Sequence, residues 1–94
     1  MKTMETTFNR DKFAFKQVYR KGMWCIYRKT KPGTQIESYE LVRLKTRPAM
    51  TFQGKAYEER ESYPGSEEWG TYGWTCPTKT AAFKRLAKET LSEP

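Results

Sequence analysis

The side chains that could do chemistry here are cations set at strand spacing. Arg43, Lys45 and Arg47 occupy alternate positions of one extended run, which places all three on one side of a strand. Tyr27, Arg28 and Lys29 end the preceding run, and Arg20 and Lys21 end the one before it. Alternating basic groups can follow a phosphate backbone while an exposed Tyr27 or Tyr19 stacks on a base. The expected binding set is therefore Arg20, Lys21, Tyr27, Arg28, Lys29, Arg43, Lys45 and Arg47, facing nucleic acid, a nucleic-acid-containing complex or an acidic protein. The competing expectation is that these cations only keep a small aromatic-rich domain soluble.

Other reactive residues lead to less. The chain has no histidine, which removes histidine triads, histidine metal sites and histidine acid–base catalysis. Cys25 and Cys76 lack C-x-x-C spacing and are expected as buried thiols; a disulfide would need their Cα atoms within about 7 Å. Glu58, Glu59, Glu61, Glu67 and Glu68 form the one acidic cluster, but no EF-hand spacing orders them, and a solvated surface is expected. Gly70 and Gly73 sit among bulky aromatics and do not make a phosphate loop, and no other nucleotide-binding or nucleophile-elbow pattern occurs. The expectation is a non-catalytic binding protein with no cofactor and no metal.

Charge supports that direction. The net charge of +7 is uneven: residues 1–50 hold twelve Lys or Arg against four acids, residues 51–78 two against five, and residues 79–94 four against two. A locally basic surface attracts polyanions. A mean hydropathy of -0.95 and the absence of any apolar run of the roughly 18–20 residues a membrane helix needs predict a soluble chain. The opening MKTMETTFNR lacks the apolar centre of a signal peptide, so a cytoplasmic location is expected, with no membrane partner.

These residues need elements to position them. A chain of 94 residues has enough for one core, placed at 13–91, with flexible segments expected at 1–12 and 92–94. Strands are predicted at 13–20, 23–29 and 38–47 from their aromatic and β-branched content, the last closed by Pro48. Pro32-Gly33 suits the centre of a type II turn, and a hairpin about it would set Arg28 opposite Glu37, Ile26 opposite Tyr39, Trp24 opposite Leu41 and Met23 opposite Val42. Residues 51–57 could turn at Gln53-Gly54 as a short strand or hairpin. Ser66–Gly70 reads as one helical turn with Ser66 as N-cap and Gly70 as its left-handed exit, and 71–76 as a returning strand. Thr78 caps a helix through Leu91, whose apolar face would be Ala82, Phe83, Leu86, Ala87, Thr90 and Leu91.

The fold expected is thus α+β, a small antiparallel sheet of three or four strands with one C-terminal helix packed on it. Trp69, Tyr72 and Trp74, with Phe83 and Leu86, are expected to clasp helix to sheet, Gly73 letting a ring approach closely. The run Tyr63-Pro64-Gly65-Ser66-Glu67-Glu68-Trp69-Gly70-Thr71-Tyr72-Gly73-Trp74-Thr75 and the following helix resemble the end of short phage and prophage accessory proteins, over roughly the last third of the chain. The resemblance implies a small mobile-element factor that works by binding host or viral machinery. It implies no activity or site residue. The two functions that follow are contact with nucleic acid and, alternatively, a protein–protein inhibitor or adaptor acting on host machinery such as host defence.

Overall fold

The structure, a computed structural model, describes residues 1–91, so the expected tail at 92–94 lies outside the described residues. In chain order the elements are β1 (Thr7–Arg10), β2 (Phe13–Lys21), β3 (Trp24–Thr30), β4 (Glu37–Arg43), β5 (Lys45–Arg47), β6 (Met50–Phe52), β7 (Lys55–Tyr57), β8 (Arg60–Ser62), a 3-10 turn (Ser66–Glu68), β9 (Gly73–Cys76) and α1 (Lys79–Leu91). Five strands form one antiparallel sheet in the order β1-β2-β3-β4-β9, on which α1 packs against β3, β4 and β9. The class is α+β as expected, but the sheet has five strands, not three or four. The added strand is β1, in the polar stretch 1–12. Its turn to β2 is made by Asp11 (φ 52) and Lys12 (φ 69), both left-handed, where sequence reasoning looks for Gly or Asn. Phe8 stacks on Phe15 with ring centroids 4.6 Å apart and holds the strand in place.

The β3–β4 hairpin keeps its expected turn, with positive φ at Gly33 and Thr34 donating from its N–H to the carbonyl of Lys31 at 3.1 Å. A longer loop over residues 31–36 joins the strands, however, and moves the register by two residues. Ile26 faces Leu41 and Arg28 faces Tyr39, not Tyr39 and Glu37. A shift of two keeps each side chain on its face, so the apolar pattern permits either register and the loop decides. Arg28 still reaches Glu37 along the diagonal at 3.0 Å.

Both faces of the sheet are covered. On the helix side Ile26, Leu41, Cys76 and Ala82 are buried, with Val18, Tyr19, Trp24, Tyr39, Trp74 and Leu86 packed around them. On the other side Phe15, Cys25, Tyr27, Val42 and Leu44 are buried beneath Met4, Phe8, Tyr63 and Trp69. Cys25 and Cys76 therefore face opposite sides of the sheet as free, buried thiols, and burial pushes the Cys25 thiol up to about 11.

The aromatic run 69–76 works on both faces. Trp69 packs against Tyr63 in one core and donates from Nε1 to Thr75 at 3.1 Å, while Trp74 enters the other core and stacks on Trp24. Leu86 is half-buried against this core, but Phe83 is 36% and Leu91 86% exposed, so the buried stripe of α1 is narrower than its sequence pattern. Thr78 caps α1 as predicted, its hydroxyl accepting from Ala81 N–H at 3.0 Å. Ser66 does not cap the 3-10 turn: Gly65 is the cap, and its N–H donates to the Glu68 carboxylate at 3.1 Å. The left-handed exit at Gly70 is as expected, with φ 93.

A Cβ added at Gly73 would run into the six-membered ring of Trp69, although its backbone angles suit any residue. Gly73→Ala is thus predicted to cost about 1–3 kcal/mol of stability through overpacking alone. In urea unfolding, Trp69→Leu should remove most of that cost in the double variant; additive losses would contradict the contact.

Candidate nucleic-acid interface

The expected cations do not share one surface. β4 ends at Arg43, and the chain breaks at buried Leu44, whose N–H donates to the carbonyl of Met23 at 2.7 Å, before β5 starts in a separate ribbon. This ends the alternation predicted for Arg43, Lys45 and Arg47. Tyr27 is fully buried, its hydroxyl donating to the carbonyl of Glu5 at 2.7 Å and accepting from Gln17, and burial pushes its phenol up to about 12. Tyr27 therefore offers no stacking surface, a correction to its expected role.

Away from the helix, three of the expected cations are matched by carboxylates. Arg20 forms a two-pronged pair with Glu61, at 2.7 and 2.6 Å, and the Glu61 side chain is only 7% exposed. Lys29 lies 3.2 Å from buried Glu40 and 4.4 Å from the ring centroid of Phe13. Lys45 pairs with Glu68. Glu61 and Glu68 thus belong to no solvated acidic face; they are the partners of predicted site residues. A cleft of about 450 Å³ opens here between Phe13, Lys29, Glu40, Tyr63 and Trp69, and its ions are engaged with one another. Tyr63 donates to Glu40 at 2.7 Å, and burial beside that carboxylate raises the phenol far above its ordinary value.

The helix side is different. Strand register places Lys21, Trp24 and Arg43 in one cross-strand row and Lys16, Arg28 and Tyr39 in another, with the apolar row Tyr19, Ile26, Leu41 and Trp74 between them. Two sites from the predicted set, Lys21 and Arg43, stand at one end of this face and Arg28 at the other. The helix adds Lys79, Lys84, Arg85 and Lys88. Among the described residues, eight cations meet three acids on this side, Glu5, Glu37 and Glu89, with Glu37 paired to Arg28 and Glu89 to Arg85. Arg43 lies 5.6 Å from the Trp24 ring, Trp24 stacks on Trp74 at 6.1 Å, and Arg85 lies 5.0 Å from the Trp74 ring. This column fixes two guanidinium groups against aromatic faces. Phe83, partly exposed, meets Tyr19 edge-on at 5.0 Å and adds an aromatic surface beside the cations. An open groove of about 690 Å³ runs past Lys16 and Arg28.

Sequence reasoning missed Lys16, Lys84 and Phe83 in this surface. Lys16 had a signal, since it follows Phe15 on the opposite face of a strand already predicted. The remaining member of the expected set, Arg47, stands on the β5–β8 ribbon, its Nε donating to the Ser62 hydroxyl at 3.5 Å. Among the described residues, no three or more His, Cys, Asp or Glu side chains group as metal ligands would, and no helix is long and apolar enough to cross a membrane. Compared with protein-family models, curated proteins and solved structures, the chain finds no match.

Arg20 holds the Glu61 carboxyl below its ordinary value of 4.5, so this pair stabilises fully above that pH and is lost as the pH falls through the lower folded value. Glu61→Gln is predicted to cost about 2 kcal/mol at neutral pH, reduced from a fully buried pair because Arg20 is 27% exposed. In urea unfolding the difference from wild type should shrink as the pH falls below 4.5 and the carboxyl takes up a proton; an equal difference at neutral and acid pH would contradict the ion pair.

Proposed function

We propose that this chain is a small non-catalytic nucleic-acid-binding protein that contacts phosphates through the helix side of its sheet. One observation carries this reading. Among the described residues, the far-face cations Arg20, Lys29 and Lys45 are paired with Glu61, Glu40 and Glu68, whereas the helix side keeps an excess of Lys and Arg. Within the expected set, Lys21, Arg43 and Arg28, whose pair with Glu37 is exposed, stay as binding residues and are joined by Lys16, Lys84 and Lys88. Arg20, Lys29 and Lys45 hold the fold.

The mechanism is phosphate neutralisation with release of counterions, supplemented by the aromatic surface at Phe83 and Tyr19. Such a surface carries little sequence choice, because phosphate contacts position a strand without reading it. A mobile-element accessory factor, as the C-terminal resemblance implies, would use it to sit on host or viral nucleic acid, or on a complex that contains it. The cytoplasm is the compartment that fits this use.

With about four phosphates engaged on a single strand, the logarithm of affinity should fall with the logarithm of salt at a slope of about -3, and each helix-side Lys→Gln should flatten it by about 0.7. Fluorescence anisotropy with Lys16→Gln, Lys21→Gln and Lys84→Gln tests this against Lys12→Gln and Lys31→Gln as controls away from the face. Equal losses from both groups, or no binding at low salt, would reject the reading. A protein that stays bound in a nuclease-treated pull-down from lysate would favour the inhibitor or adaptor instead.

A further inference from the structure

We infer that the arm formed by residues 45–62 is a second nucleic-acid contact, which holds an unpaired stretch of strand with bases stacked on Phe52 and Tyr57 and a phosphate between Arg47 and Arg60. The inference rests on the reading above and narrows it to unpaired nucleic acid at this place.

The arm is built from two short ladders, β5 with β8 at its root and β6 with β7 at its tip. The tip turns through Gln53 (φ 51) and Gly54 (φ 77), the left-handed pair of a tight hairpin. Its root is fixed to the body. Glu61 takes both the Arg20 guanidinium and the Met4 N–H, at 2.8 Å, and Lys2 bridges to Arg60 by hydrogen bonds of 2.9 Å on either side. An anchored root gives the tip a defined position, yet among the described residues β6 and β7 pack chiefly on each other.

Register sets Met50 opposite Tyr57 and Phe52 opposite Lys55, so all four share one face, while Thr51 and Ala56 share the other. On that face Met50 is 47%, Phe52 56% and Tyr57 38% exposed. Two isolated strands that leave their large side chains in water bury too little to be stable alone, and such a patch marks a contact.

Charge identifies what makes the contact. Arg47 and Arg60 are direct cross-strand partners, a like-charge pairing that costs energy. Neither forms an ion pair among the described residues: Arg47 reaches the Ser62 hydroxyl, and the nearby Glu68 is engaged by Lys45. The Arg60 Nη1 is buried with no hydrogen-bond partner, and its guanidinium lies 5.7 Å from the Tyr57 ring centroid. Lys55 lies 5.4 Å from the same ring centroid, so two cations stand close to Tyr57. An anion placed between the two arginines relieves their repulsion, and a planar group on Phe52 and Tyr57 covers the exposed rings. A nucleotide brings both. The bases must be unpaired, because the rings stand on the face of the ribbon and not at its end, where Gln53 and Gly54 sit, and only an unpaired base exposes its own face to them.

The full chain is titrated by anisotropy with an oligothymidylate of about twenty nucleotides and with a duplex of the same length. For the double variant Phe52→Ala, Tyr57→Ala, oligothymidylate affinity should fall at least about tenfold, as losing stacked bases does, with duplex affinity within about twofold of wild type. Phe52→Leu should lose as Phe52→Ala does, since leucine keeps the apolar contact without the ring. Wild-type affinity in the double variant, equal loss on both nucleic acids, or rescue by leucine would overturn the inference while leaving the charged-face reading intact. Failure of the wild type to bind either nucleic acid would reject the charged-face reading and this one with it.

Discussion

A sheet whose central strands are buried on both faces needs two covers, and the described residues supply one α-helix, of thirteen residues. Ile26 and Leu41 lie under that helix, while Tyr27 and Val42, their neighbours along the same strands, point the other way and are just as deeply buried. The second cover has to come from chain outside the helix: Met4 and the edge-strand residue Phe8, and the segment from Arg60 to Trp69. The segment from Arg60 to Trp69 shares no ladder with the five-stranded sheet, and ion pairs tie it down. Arg20 with Glu61 and Lys45 with Glu68 are those ties.

The distribution of charge follows from this constraint. Glu61 and Glu68 are drawn to the far face by Arg20 and Lys45, and the helix side is left with cations on both sheet and helix. The two ends of the molecule's chemistry are thereby separated by one layer of backbone. A half-buried bidentate pair that fixes a cover contributes to stability, whereas exposed lysines contribute little to it and gain their value only against a polyanion. The same Arg20–Glu61 tie fixes the root of the arm, so the element that completes the core also aims the ribbon outward.

Much of the sheet was legible in the sequence because strands rich in aromatic and β-branched residues carry their own signal, and the helix because Thr78 and the spacing through Leu86 agree. The type II turn at Pro32-Gly33 was legible for the same local reason. What escaped was nonlocal. The hairpin register depended on loop length, which two-residue periodicity does not encode, and β1 depended on a turn of Asp11 and Lys12 that lacks glycine. The binding face was half legible: cation positions were visible, but which of them are neutralised is decided by partners such as Glu61, 41 residues from Arg20. Tyr27 shows the limit most clearly, since an aromatic between cations looks the same in sequence whether it faces solvent or core. The clasp at 69–76 was recognised as a joint, although it joins two covers to one sheet where a single contact with the helix was expected.

The account is tested most directly by following backbone amide resonances of the labelled protein as an oligothymidylate is added at low salt. Shifts should concentrate in Lys16–Lys21, around Arg43, along α1 and at the arm residues 47–60, with the amides of residues 63–69 and Thr75 nearly still. Shifts centred on the cleft between Phe13, Tyr63 and Trp69, with the helix side unmoved, would contradict it.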